Sequence, residues 1–82
     1  MRVVLSEQVI VSLQDAPLSV RRAFAKHLKF LADNLLHPSL RAKKYDESKD
    51  LWQGRVNQGW RFYFTIAKDV YRIGKVVPHP KK

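Results

Sequence analysis

The sequence predicts an α+β domain: two helices packed on one face of a small, twisted, mainly antiparallel sheet, in the order β-α-α-β-β-β. Three observations carry this. From Leu51 to Ile66 (LWQGRVNQGWRFYFTI) apolar and polar residues alternate with the period of two that marks half-buried strands. From Val20 to Leu35 the apolar residues Val20, Phe24, Leu28, Leu31 and Leu35 recur at helical spacing. Finally, 82 residues allow one domain with one modest core, since folding at that size removes only about 60–65% of the chain's surface from water. Residues 1–82 are therefore read as a single domain.

The elements follow in chain order. Met1 to Leu5 (MRVVL) is short, apolar and β-branched, and reads as a first strand. Ser6 is placed to cap a helix over Glu7 to Gln14, with Glu7 in the first turn, where negative charge is favoured. Val9, Ile10 and Leu13 would face the core, although Val9 to Ser12 (VIVS) also fits a strand. Pro17 suits the first turn of the second helix. That helix carries Arg22, Lys26 and Lys29 on its outer face and must end by His37, because the residue before Pro38 is biased away from helical angles. His27 has no evident partner and is expected at the surface. Leu40 to Asp46 (LRAKKYD) reads as a strand and Asp46 to Asp50 (DESKD) as a polar turn.

In the hairpin that follows, Asn57-Gln58-Gly59 reads as a three-residue loop, with glycine at the position that tolerates a left-handed backbone. That register puts Val56 opposite Trp60 on the core face and Arg55 opposite Arg61 on the other. A two-residue turn at Lys68-Asp69 then leads into a last strand, Asp69 to Val77. It would place Tyr71 beside Ile66, Ile73 beside Phe64, Arg72 beside Thr65 and Val76 opposite Arg61. Pro78-His79-Pro80 ends regular structure, since proline cannot donate to a ladder.

The charge is +9, from sixteen Lys and Arg against seven Asp and Glu. It is concentrated in the second half: residues 1–40 hold five basic and three acidic side chains, residues 41–82 eleven and four. A small domain with a basic face points to nucleic acid first and to an acidic protein second. With no cysteine the chain has neither a disulfide framework nor a thiolate site, which fits a cytoplasmic protein. No apolar run approaches a membrane span, and the start, MRVVLSEQ, lacks a signal-peptide core. The three histidines have no metal-ligand spacing, so no metal and no other cofactor is expected.

Two guanidiniums directly opposite one another destabilise a sheet unless an anion joins them. Arginine's planar fork suits phosphate. Arg55, Arg61, Tyr63, Lys43 or Lys44, and His79 could converge on the open face. Cleaving RNA there requires charge stabilisation on the phosphorane-like transition state, which arginine supplies, and proton transfer, for which histidine is suited. Tyr63 could stack on a base or bond to a phosphate.

At these residues, LWQGRVNQGWRFYF followed by a C-terminal strand and HPK, the chain resembles the RelE/ParE toxin superfamily of bacterial toxin–antitoxin systems, over nearly its whole length. The resemblance implies a type II toxin that acts as a ribosome-dependent endoribonuclease, cleaving mRNA to a 2′,3′-cyclic phosphate and so inhibiting translation. Its partners would be the ribosome, mRNA and an acidic, partly disordered antitoxin. Arg61 would be the phosphate-stabilising arginine, His79 the histidine after the last strand and Arg55 the basic residue of the preceding strand, giving Arg61, His79 and Arg55 as catalytic candidates. Lys43, Lys44, Tyr63, Arg72, Lys81 and Lys82 are the RNA-binding candidates. Gln53 and Gly54 stand where some members carry lysines, and Asp46 and Glu47 lie near the position where others use a carboxylate. A ParE-like toxin that inhibits DNA gyrase without catalysis, or an inactive member that only binds its antitoxin, are the alternatives.

Overall fold

A computed structural model of the chain describes residues 2–79. Five strands form one sheet: β1 (Arg2–Leu5), β2 (Lys43–Asp46), β3 (Leu51–Asn57), β4 (Trp60–Ala67) and β5 (Val70–Pro78). Helices α1 (Glu7–Asp15) and α2 (Leu18–Asp33) connect β1 to β2 by way of a short 3-10 turn at Pro38–Leu40. The strand order is β1-β5-β4-β3-β2, with β1 parallel to β5 and every other pair antiparallel. This is the predicted α+β class, two helices on a mainly antiparallel sheet, but four strands follow the helices and not the three of the expected order β-α-α-β-β-β.

The helices form where local chemistry favours them. The Ser6 side chain accepts from the Val9 amide, 3.2 Å away, and caps α1 as expected. The ambiguous VIVS segment is helical, because it lies within α1 once Val9 is buried under the sheet. Ile10 does not face the core; it is largely exposed, as one residue turns 100° from Val9. In α2, Val20, Phe24 and Leu31 are buried. The helix stops at Asp33, earlier than the periodicity implied, so Leu35 packs on the core from outside the helix. α1 packs on β5 and α2 on β3. Their apolar faces meet Val56, Phe62, Phe64, Tyr71, Ile73 and Val76 in one core.

The sheet carries three bulges among the described residues, and two of them shift the expected registers. Arg55 does pair with Arg61, but Asn57 rather than Val56 faces Trp60, so Val56 is an extra residue and the turn has two residues, not three. Gly59 does not use a left-handed backbone; the positive-φ residues among the described residues are Arg41, Asp50 and Lys68. The turn is closed by the Asn57 side chain, which accepts from the Gly59 amide at 2.9 Å, a local bond that asparagine favours. In β5 the expected pairs Ile66–Tyr71, Thr65–Arg72 and Phe64–Ile73 form, and Gly74 then bulges. Beyond it Val76 pairs with Phe62 and Val77 with Arg61, which corrects the expected Val76–Arg61 pair. The third bulge, at Tyr45, lies in β2. That strand begins at Lys43, not Leu40, since Leu40 is buried in the 3-10 turn.

Candidate nucleic-acid interface

The helices cover one face of the sheet, and the site candidates must be sorted by the face they occupy. One rung of the open face runs Lys43–Gln53–Tyr63–Lys75 across β2, β3, β4 and β5. The next runs Arg55–Arg61–Val77. Beyond the Tyr63 rung in the opposite direction, still on the open face, a rung runs Val4–Arg72–Thr65. His79 shares the parity of Val77. Lys44 does not join this face: it pairs with Trp52, lies 5.1 Å from that ring's centre, and makes an ion pair with Asp50. Side chains alternate along a strand, so Lys43 and Lys44 cannot both point outward. Lys81 and Lys82 lie outside the described residues.

Two cavities open on this face. A pocket of about 200 Å³ is lined by Arg41, Lys43, Arg55 and Arg61 together with Gln53 and Gly54. Four cations surround it and no carboxylate does. No ion pair among the described residues engages any of the four. In a site without counter-charge this density of cations is unfavourable, and an oxyanion such as phosphate relieves it. Arg41 was not among the sequence candidates. It sits just before β2 with a left-handed backbone, φ 45°, a conformation that costs a non-glycine residue about 1 kcal/mol. Arg41, Lys43 and Lys44 are clustered in the sequence, but the 3-10 turn places Arg41 at the pocket.

The β3–β4 turn organises the catalytic candidates. The Arg61 guanidinium donates through Nη1 to the carbonyls of Asn57 at 2.7 Å, Trp60 at 2.9 Å and Gln58 at 3.4 Å. Its Nε and Nη2 donors make no hydrogen bond among the described residues, so its second edge remains for an anion. The same turn anchors the end of β5, since the His79 amide donates to the Gly59 carbonyl at 2.7 Å. Arg55 is held differently. The ring of His27 bonds through Nδ1 to the Arg55 carbonyl, at the peptide that enters the Val56 bulge. His27 is thus half-buried and partnered, not a free surface histidine. Because a carbonyl only accepts, Nδ1 carries the proton in that bond.

The larger cavity, about 1020 Å³, is a groove along β5 and β4 that reaches Tyr45, Tyr63, Arg72, Lys75 and His79. Its lining also contains no carboxylate. Gln53 lines both cavities, and its amide donates to the Tyr63 hydroxyl at 2.9 Å. Tyr45 meets Tyr63 edge-on, with ring centres 4.9 Å apart. His79 is exposed and is the one imidazole lining either cavity. Asp46 and Glu47 line neither. The Asp46 carboxylate is committed to its own turn, accepting from the Ser48 hydroxyl at 2.7 Å and the Ser48 and Lys49 amides at 3.0 and 3.3 Å. The hydroxyl bond above all holds its pKa below the ordinary carboxylate value. Gly54 faces the helix layer beneath the Phe62 ring, so a side chain at this position would not point to the open face. No three His, Asp or Glu side chains among the described residues form a metal-ligating group.

A five-stranded sheet of this order with two helices on one face is the fold of the RelE/ParE toxins. Over 94% of this chain and 92% of the other it superposes on the archaeal RelE of the RelE–RelB complex from Pyrococcus horikoshii OT3, with TM-score 0.79 and 23% identity. It is likewise similar to the YoeB/ParE toxin of Agrobacterium tumefaciens (TM-score 0.80, 9% identity, 98% and 100% coverage). The YoeB–YefM toxin–antitoxin complex of Staphylococcus aureus gives TM-score 0.77 at 16% identity and 98% coverage of both chains. At these identities the likeness is one of fold. No family model matches the chain, and no curated protein matches its sequence.

Proposed function

We propose that this protein is the toxin of a type II toxin–antitoxin pair and cleaves mRNA on the ribosome. The observation that carries the reading is the carboxylate-free pocket of Arg41, Lys43, Arg55 and Arg61 beside a groove that ends at His79. The fold it shares with RelE and YoeB, crystallised with RelB and YefM, supports an antitoxin partner. In this reading the scissile phosphate sits between Arg55 and Arg61. The 2′-oxygen forms a bond to phosphorus while the bond to the 5′-oxygen breaks. The 2′-hydroxyl proton passes to water, and His79 protonates the leaving 5′-oxygen. The arginines hold the phosphate in the ground state and the greater charge of the transition state more strongly, so their loss lowers RNA affinity and lowers the rate further.

The test is Arg61→Ala and His79→Ala, with cleavage mapped by primer extension on ribosome-bound mRNA. Arg61→Ala is expected to slow cleavage by about 10²–10³-fold. His79→Ala is expected to slow it while leaving ribosome binding nearly unchanged. The strand position alone predicts almost no cost to the fold for Arg61→Ala. Its carbonyl bonds to the turn raise that to about 1 kcal/mol, so a melting curve must accompany the assay. Those same bonds favour a second reading, in which Arg61 is a brace and the protein is a ParE-like inhibitor of DNA gyrase. Uncut mRNA together with inhibited DNA supercoiling would select that reading and overturn the first.

A further inference from the structure

We infer that Tyr45, with Tyr63 behind it, forms a stacking platform for the nucleobase next to the phosphate held in the cation pocket. The inference rests on the nucleic-acid reading above and adds a subsite to it. Four observations converge on Tyr45. It is the extra residue of the β2 bulge, and a bulge re-aims a side chain relative to a regular strand. The ring so placed meets Tyr63 edge-on at 4.9 Å, and the Tyr63 hydroxyl is fixed by Gln53 at 2.9 Å. Tyr45 is nonetheless 58% exposed, although a tyrosine with an aromatic neighbour gains by burying its face. Finally, Gln53 lines both the cation pocket and the groove that Tyr45 borders, so the two cavities adjoin.

The occupant follows from the chemistry of the surroundings. Arg72 and Lys75 flank the groove and no carboxylate lines it, so an acidic backbone is accommodated there and a basic one is not. An exposed aromatic face beside a cationic track is how sequence-tolerant single-strand binders hold bases, because every base offers a π face. A chain with one phosphate between Arg55 and Arg61 has its neighbouring nucleotide within reach of the Gln53–Tyr63 rung. The base of that nucleotide then lies on the free face of Tyr45.

The experiment uses a trinucleotide RNA made uncleavable by 2′-O-methylation and carrying 2-aminopurine at one position. Binding is read by its fluorescence, and thermal melting of each variant is recorded. Tyr45→Ser is expected to weaken binding about tenfold and to abolish the stacking quench, with an unchanged melting temperature. Tyr45→Phe should retain both. With an abasic residue replacing 2-aminopurine, and binding followed by calorimetry, Tyr45→Ser and the wild type should bind equally. Equal binding of the intact oligonucleotide by Tyr45→Ser and wild type overturns the platform, as does a loss that persists on the abasic one. Arg55→Ala and Arg61→Ala separate this from failure of the underlying reading. If neither weakens the oligonucleotide, the phosphate pocket is wrong and the subsite falls with it. If both do and Tyr45→Ser does not, only the platform is wrong.

Discussion

Single residues here carry two duties, and Arg41 shows how to separate them. Its left-handed backbone is strained for any residue with a Cβ, and its side chain lines the cation pocket. Arg41→Gly should therefore relieve about 1 kcal/mol of local strain, partly offset by glycine's unfolded-state entropy, while lowering RNA affinity. Urea melts and RNA titrations check the two halves independently. A variant that is clearly less stable would mean that Arg41 holds the β2 entry by its side chain. Asp46 makes a second residue-scale prediction. Its folded pKa lies below the ordinary 3.8, so its contribution to the turn is complete above that value and disappears as pH falls through the lower folded one. The Ser48 and Lys49 amide resonances should titrate with an acidic midpoint below 3.8, and Asp46→Ala should abolish the titration. A midpoint at or above 3.8 would contradict the hydroxyl bond.

At the scale of elements, the β3–β4 hairpin holds both the core and the site. Phe62 is fully buried, edge-on to Phe24 at 5.7 Å and stacked on Phe64 at 5.4 Å, so its ring has nowhere to move. A methyl group at Gly54 would collide with three atoms of that ring. Gly54→Ala is expected to destabilise the domain by about 1–3 kcal/mol, the usual cost of overpacking a filled core. Chemical denaturation measures this directly, and a neutral result would mean that β3 and β4 can slide apart locally. The same substitution should also disturb Arg55, the next residue, and so lower RNA affinity. Three bulges border this hairpin and its neighbours, at Tyr45, Val56 and Gly74, and each changes what a strand presents to the open face.

For the whole molecule the relevant quantity is the charge. The net +9 is concentrated in the sheet-forming half, and four cations share one pocket without a described ion pair. Binding of single-stranded RNA should release counterions, so log affinity should fall linearly with log salt, with a slope of about −0.7 per phosphate contacted. Filter binding across a salt series measures this. Arg55→Ala should reduce the steepness by close to one contact. An affinity that barely responds to salt would remove the basic face from the mechanism.

The alternation in LWQGRVNQGWRFYF and the helical spacing of Val20 to Leu31 determined the elements, the core face and the Arg55–Arg61 pair. They could do so because period and register are local consequences of burying one side of a strand or helix. The length allowed one modest core, and the chain itself carries most of its net positive charge in the sheet-forming half. Other features were decided only in three dimensions. A bulge adds one residue without changing the hydrophobic pattern, so Val77 and not Val76 came to face Arg61. The face occupied by Lys44 depends on where β2 begins, and Leu40 set that by entering the core from a 3-10 turn. Arg41 reached the pocket through a single left-handed residue, and His27 found the Arg55 carbonyl across the layer between helix and sheet. A contact between residues 28 positions apart leaves no periodic trace in the chain; it exists only once α2 has packed on β3.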